Sequence, residues 1–214
     1  MNLLLDSVPE FIVEYEGKLY FNTDIFLVAE EDDYTCYGIA TDYGSIINIF
    51  LMYETAKLTE QEKAIFMLSL FYTAKIPYDI EAAYKKAIEF MDLDKYKASA
   101  ESQGHIKDYS RLYSWEQDGD HIFSSINYSH NDILVREPDL HWYLFVSKFM
   151  QLKEDCRFSE IINNRAAHKA GKATKEQRAA RREHPEIYLL KADRAIESRA
   201  TTEMKEMERM LNNN

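Results

Sequence analysis

Three side chains that could share chemistry lie close together in the sequence: Asp118, Asp120 and His121. Carboxylate and imidazole groups at such spacing could bind a metal ion or transfer a proton. The chain has no HExxH motif, no paired histidines and no second cluster at ligand spacing. Since metal sites usually recruit three or four ligands, this pattern favours a solvated helix edge over a metal site.

The remaining reactive residues give no better case for catalysis. Cys156 has only Arg157 beside it as an activator, and Cys36 lies far away, which favours isolated thiols in a reducing compartment. The motifs GxSxG, GxxxxGK[ST] and GxGxxG are all missing from the sequence, which contains only six glycines. We therefore expect no enzyme activity and no cofactor.

The charge of the chain is uneven. The formal net charge is −11, yet residues 161–214 carry 12 Lys and Arg against 8 Asp and Glu. An acidic body would repel a phosphate backbone, and the basic stretch 165–182 has no aromatic residues that could stack on bases. This stretch is more typical of a solvated helical hairpin that could face the acidic body or an acidic partner. Nucleic acid is not an expected partner.

Neither secretion nor membrane insertion is expected. The first residues, MNLLLDSVPEF, lack the basic region of a signal peptide, and their apolar run ends at Asp6. No stretch of eighteen uncharged apolar residues occurs in the chain.

The first forty residues are predicted to contain the only β-structure. Residues 11–22 alternate in polarity around Glu16 and Gly17, which predicts a β-hairpin. Residues 25–40 could form a second hairpin, because IFLVA and YTCYGIA flank an acidic turn at 30–33.

From residue 42 onward the apolar residues follow helical spacing. Thr59 and Glu62 predict a capping box at the start of a helix that Pro77 should end, and Asp79 should cap the next helix. Residues 94–112 lose the periodicity and are rich in Lys, Ser and Asp, which indicates a mobile linker.

Five further helices are predicted after this linker, of which the last is C-terminal. Ser114 and Gln117 form a second candidate capping box, and Gly119, in the interior of that helix, suggests a close packing contact. Residues 140–150 are apolar on nearly every side, which predicts a buried central helix. Residues 157–168 form another helix, and Thr174 and Gln177 cap a short basic one.

The segment from Pro185 to Leu211 predicts a long C-terminal helix with a thin apolar stripe. Its outer part can bury little apolar surface alone, so Met204, Met207 and Leu211 are candidates for binding a partner. The predicted fold is mainly α: a helical bundle with a small N-terminal β-hairpin element and this long helix. The predicted regions are a β element at 1–40, a helical body at 41–192 and an extension at 193–214.

Several short motifs occur in a fixed order: WEQD (Trp115 to Asp118), LHW (Leu140 to Trp142), and FSEII (158–162) followed by Arg165. Together with TDYGSI at 41–46, TEQEKA and KIPYD, they resemble the phage family named after its fifteenth gene product. The resemblance covers about residues 41–192 and is best over 114–165. Gly119 stands where the family more often carries Ala, and residues 22–40 resemble an insertion.

The resemblance implies a role in tail assembly of long-tailed phages, as a chaperone for the tape-measure protein. Tail tube subunits are further expected partners, a homo-oligomer is also conceivable, and the host cytoplasm is the expected location. Most motif residues are expected to be structural, with Asp118 and Arg165 forming a salt bridge or caps. The motif residues are Trp115, Gln117, Asp118, Leu140, Trp142, Phe145, Phe158, Ile161 and Arg165.

Two other functions fit the same sequence features. A minor tail component would be helical and acidic but would stay in the virion. An acidic inhibitor of a host protein would need the charge of the body rather than an apolar surface.

Overall fold

The computed structural model describes residues 9–21, 34–55, 57–92, 112–131, 133–191 and 193–194. Within these ranges the chain is mainly helical, with a small three-stranded antiparallel sheet near its N-terminus. The strands are β1 (Phe11–Tyr15), β2 (Lys18–Phe21) and β3 (Thr35–Gly38). The helices are α1 (Tyr43–Thr55), α2 (Glu60–Phe71), α3 (Ile80–Asp92), α4 (Trp115–His130), α5 (Trp142–Met150), α6 (Arg157–Lys169), α7 (Lys175–Glu183) and α8 (Pro185–Tyr188).

The contacts group the chain into two compact units. Unit 1 comprises residues 1–107 and 133–151, and unit 2 comprises residues 108–132 and 152–214. The sheet, α1, α2, α3 and α5 therefore belong to unit 1, whereas α4 and α6 to α8 belong to unit 2. The predicted boundaries at 40 and 192 stay a prediction, since much of 1–40 and nearly all of 193–214 lie outside the described residues.

The first predicted hairpin is confirmed. β1 and β2 pair antiparallel around Glu16 and Gly17, whose φ angles of 48° and 71° are both left-handed. Two such residues match the turn that follows the natural twist of paired strands. β3 also forms as expected, but its described partner is β1, with Val13 opposite Cys36. The other half of the second predicted hairpin lies outside the described residues, as does the predicted linker, apart from Leu112.

Helix α2 starts where the sequence predicts but ends earlier. The Thr59 and Glu62 capping box is present, and the helix stops at Phe71 rather than near Pro77. Tyr72 becomes extended and pairs with Ile39, and the Thr73 N–H donates to the Gly38 carbonyl at 3.0 Å. The end of α2 is therefore set by pairing with the chain after β3. A Cβ on Gly38 would lie 2.6 Å from Thr73 Oγ1, so a larger residue there would force the Thr73 side chain to move.

Two helices differ from the prediction, one in its burial and the other in its length. α5 buries only Trp142 and Phe145, and Met150 at its end is exposed, so it is not buried on all sides. α8 ends at Tyr188, where Leu189 takes an extended conformation, so no continuous helix runs onward from Pro185. Asp79 does cap α3, since its Oδ1 accepts from the Ala82 N–H at 2.9 Å.

Gly119 makes no close packing contact, contrary to the expectation from its position in a helix. A Cβ built there meets nothing within 4 Å. Gly171, between α6 and α7, also has open space around it but has a φ of 68°. Replacing Gly119 therefore tests helix propensity alone, whereas replacing Gly171 tests the strain of a left-handed backbone.

We predict that Gly119→Ala raises the free energy of unfolding by up to about 1 kcal/mol, because Ala favours a helix and meets no clash. Gly171→Ala should lower it by about 1–2 kcal/mol, since a left-handed backbone strains any Cβ. Urea unfolding followed by circular dichroism measures both. A destabilised Gly119→Ala variant would contradict the open space at this position.

Candidate functional site

The centre of unit 2 is a buried ion pair between two motif residues. The side chains of Asp118 on α4 and Arg165 on α6 are 1% and 4% exposed. Arg165 Nη1 donates to Asp118 Oδ2 at 2.7 Å, and Nη2 donates to Oδ1 at 2.9 Å. This is the two-pronged geometry in which a guanidinium pairs best with a carboxylate. The salt bridge expected between these residues is confirmed.

Arg165 also holds two other parts of unit 2. Its Nη1 donates to the Leu112 carbonyl at 2.8 Å, and its Nη2 donates to the Ile187 carbonyl. A buried charge needs such additional partners, because removal from water is costly. One guanidinium thereby connects the residues before α4, helix α6 and the end of α8.

Gln117 explains why α8 stops where it does. Its Nε2 donates to the Leu189 and Glu186 carbonyls at 2.8 and 3.1 Å, and its Oε1 accepts from the Lys191 N–H at 2.9 Å. These side-chain bonds take the place of the helical hydrogen bonds that would carry α8 past Tyr188.

The predicted capping box at Ser114 forms only in part. Ser114 Oγ accepts from the Gln117 N–H at 3.3 Å, as in a capping box. In a complete capping box the Gln117 side chain would accept from the Ser114 N–H. Here that N–H donates to Asp118 Oδ2 instead, at 3.0 Å. Asp118 thus serves as both a cap and an ion-pair partner, which leaves the Gln117 side chain to bind α8 and the residues that follow.

The aromatic motif residues of unit 2 form the apolar part of this region. Trp115, Phe158 and Ile161 are buried. Tyr113 lies between the first two, with ring centroids 5.5 Å from Trp115 and 5.8 Å from Phe158. The buried Ser125 accepts from the Phe158 N–H at 3.0 Å. Their burial places these residues in the core of unit 2.

The other motif residues meet in unit 1. The LHW and TDYGSI motifs pair through an Asp42–His141 bridge, in which Trp142 N–H donates to the Thr41 carbonyl at 2.6 Å. Tyr43 N–H donates to the Leu140 carbonyl at 3.0 Å.

Behind this bridge the rings are stacked. Phe145 lies 4.9 Å from Tyr43 and 5.6 Å from Trp142, centroid to centroid. Trp142 Nε1 donates to the Met91 carbonyl at 3.1 Å, so this buried indole is hydrogen-bonded. Trp142 and Phe145 are core residues, as expected.

Unit 1 exposes an apolar surface on α2 that we name the α2 outer face. It consists of Ile65, Phe66 and Leu70, which are 62%, 50% and 44% exposed. The buried residues of the same helix, Met67, Leu68 and Phe71, lie on its other side at helical spacing. A helix that is apolar on both sides is normally buried, so an uncovered outer side indicates a surface for a partner.

Unit 2 exposes a basic surface that we name the α7 cleft. One cavity of about 350 Å³ is lined by Leu112, Arg165, His168, Lys169, Arg181, Tyr188, Leu190 and Asp193. An adjoining cavity of about 440 Å³ is lined by His168, Lys175, Arg178, Arg181, Arg182, Pro185 and Leu189. Thr174 and Gln177 form the predicted capping box of α7, which orients the helix. Asn164 and His168 of α6 both contact the Gln177 carbonyl, at 3.2 and 3.4 Å, which fixes α7 beside α6.

The residues first considered for chemistry are not assembled into one site. Asp118 forms the buried ion pair with Arg165, whereas Asp120 is exposed. Cys156 is buried at the start of α6, where its thiol donates to Ser159 Oγ at 3.1 Å. Among the described residues, no group of three or more His, Cys, Asp or Glu side chains is arranged to hold a metal ion. In the same ranges no helix has the length and apolarity to cross a membrane.

The fold and these surfaces define a mainly helical protein with buried motif residues and two exposed surfaces. The model of the Bacteriophage Gp15 protein family matches residues 23–190. The chain belongs to this phage protein family. Neither a curated protein nor a solved structure matches it. The match begins before residue 41, where the resemblance was expected to start; an insertion at 22–40 stays a prediction.

Sequence reasoning missed the α2 outer face, and it predicted the basic surface only as a solvated hairpin at 165–182 that could face the acidic body or an acidic partner. It predicted the helix that begins after Thr59, but periodicity does not show which side of an apolar helix is covered. It treated 165–182 as one basic stretch. The spacing of Lys175, Arg178 and Arg182 at steps of three and four would have shown that these cations share one face of a helix. The predicted partner residues Met204, Met207 and Leu211 lie outside the described residues.

We predict that Gln117→Glu lowers the free energy of unfolding by about 1–3 kcal/mol, because a carboxylate oxygen would then face two carbonyls without a hydrogen to donate. Glu116→Gln is the matched control. Glu116 forms an exposed ion pair with Lys191, so its replacement should cost at most about 1 kcal/mol. Equal losses in urea unfolding would show that Gln117 does not fix the end of α8.

Proposed function

We propose that the protein is a tail-assembly chaperone that binds the tape-measure protein while the phage tail forms. Membership of the Bacteriophage Gp15 protein family supports a phage role. The observation that carries the proposal is the α2 outer face. Three large apolar side chains there are more than two-fifths exposed, on a helix whose opposite side is in the core of unit 1.

The chemistry of this face suits the expected partner. A tape-measure protein is a long, apolar, coiled-coil-like chain that must be protected from aggregation before the tube surrounds it. An exposed helical stripe with an aromatic and two aliphatic side chains can pack against the apolar side of another helix. Such packing removes apolar area from water, which stabilises a complex by roughly 25 cal/mol for each Å² buried.

The charge of the protein supports the same proposal. The formal net charge of −11 should keep a complex with an apolar partner from associating further, because like-charged particles repel each other. A binding face that is apolar within an acidic protein therefore holds its partner and keeps it in solution. The stripe of Met204, Met207 and Leu211 stays a second predicted contact for the same partner.

We predict that co-expression raises the soluble fraction of the tape-measure protein several-fold and that Phe66→Glu removes most of this gain. Docking would have to desolvate the new carboxylate, which is unfavourable in an apolar interface. Gln61→Glu is the matched control: it adds one negative charge at another exposed position of α2 and should keep the gain. Sedimentation of the lysate followed by quantitative immunoblotting measures the fraction, and circular dichroism confirms the fold of each variant.

Two results would contradict the proposal. The first is a tape-measure protein that is equally soluble alone. The second is a stoichiometric amount of this chain in purified virions, measured by mass spectrometry, because a chaperone leaves before the particle is complete. That second result would favour a minor tail component instead. Equal effects of Phe66→Glu and Gln61→Glu would exclude the α2 outer face as the binding surface.

A further inference from the structure

The α7 helix separates its charges onto opposite sides. Lys175, Arg178, Arg181 and Arg182 lie within one side of the helix, whereas Glu176 and Glu183 lie on the other. All four cations line the α7 cleft. Cations at steps of three and four repel one another, so this arrangement is unfavourable for the isolated helix. An anion bound in the cleft would relieve the repulsion.

Three cations of this face are available to a ligand. Within the described part of the chain, Lys175, Arg178 and Arg182 make no ion pair. α7 has no buried residue, so its side chains serve no core. The Gln177 carbonyl of α7 contacts Asn164 and His168 of α6. The basic side of α7 lines the cleft together with residues of α6 and α8.

Helix α6 extends the positive lining into the first cavity. His168 and Lys169 line it beside Arg165 and Arg181. Arg165 is almost fully buried, and among the described residues its Nε–H has no hydrogen-bond acceptor. A buried donor without an acceptor costs free energy, which a ligand oxygen could recover. The cleft therefore combines surface cations with a buried donor on a lining residue.

We propose that the α7 cleft binds an acidic peptide segment of a protein partner through the segment's carboxylates. Arginine pairs with carboxylates by two parallel hydrogen bonds, and Pro185 offers an apolar wall to the methylene groups of a Glu side chain. The cleft lies on residues other than the α2 outer face. The proposal therefore holds whichever partner that face takes.

The same features disfavour nucleic acid. A duplex is too wide for cavities of about 350 and 440 Å³. A single-stranded nucleic acid would need exposed aromatic rings for stacking, and the one Phe, Tyr or Trp residue of the lining, Tyr188, is buried.

The test uses the full chain and a fluorescein-labelled ten-residue peptide of alternating Glu and Ala, followed by fluorescence anisotropy. We expect saturable binding that weakens as salt rises. The double variant Arg178→Glu, Arg182→Glu should bind at least tenfold more weakly. The double variant Lys57→Glu, Lys85→Glu is the matched control. It makes the same charge change at exposed positions of unit 1 and should bind within threefold of the unmodified chain.

Further variants separate loss of binding from loss of the fold. Arg178→Lys, Arg182→Lys keeps the charge and should retain more binding than the Glu variant, and thermal melting should show that all variants fold. Phe66→Glu should leave peptide binding unchanged, which separates this site from the proposed chaperone surface. Absence of saturable binding would overturn the proposal, as would equal losses in the two Glu double variants. Tighter binding of a ten-nucleotide single strand than of the peptide would assign the cleft to nucleic acid instead.

Discussion

Unit 2 depends on one buried ion pair. The charge of Arg165 is removed from water, and its cost is offset by Asp118 and by two backbone carbonyls. Because those carbonyls belong to Leu112 and Ile187, the pair fixes where the chain enters α4 and where α8 ends. Gln117, next to Asp118, then binds the residues around Leu189. The α7 cleft, lined by α6 and by residues around α8, follows from these constraints.

Unit 1 is organised by pairing of backbone and rings rather than by charge. Two motifs that lie about a hundred residues apart meet at the Asp42–His141 bridge, with Tyr43, Trp142 and Phe145 stacked behind it. His141 caps α5 by accepting the Tyr143 N–H at Nδ1, at 3.1 Å. Burial lowers the pKa of His141, against opposing effects of Pro9 and Glu10, which favours the neutral ring that this bond needs. The motifs therefore join α1 to α5 in the core of unit 1, and the α2 outer face lies on a helix whose other side is also buried.

The sequence predicted the features that depend on neighbouring residues. The caps at Thr59 and Thr174 and the turn at Glu16 follow from local chemistry, and all three are present. The ion pair could also be anticipated, since Asp118 and Arg165 are oppositely charged members of the ordered motifs. The early end of α2 and the break after α8 could not, because each is caused by a partner distant in sequence. The packing contact predicted at Gly119 is wrong for a similar reason, because only the fold shows which side of a helix faces open space.

The most direct test of this account is a double-mutant cycle on Asp118 and Arg165, measured by urea unfolding of the full chain. Asp118→Ala and Arg165→Ala should each lower the free energy of unfolding by about 3–5 kcal/mol, because each leaves a buried charge or its partners uncompensated. The double variant should lose less than the sum of the two by at least about 1 kcal/mol, since it leaves no unpaired buried charge. Losses that add to within about 0.5 kcal/mol would show that the two side chains act independently, and would contradict the central place of the pair.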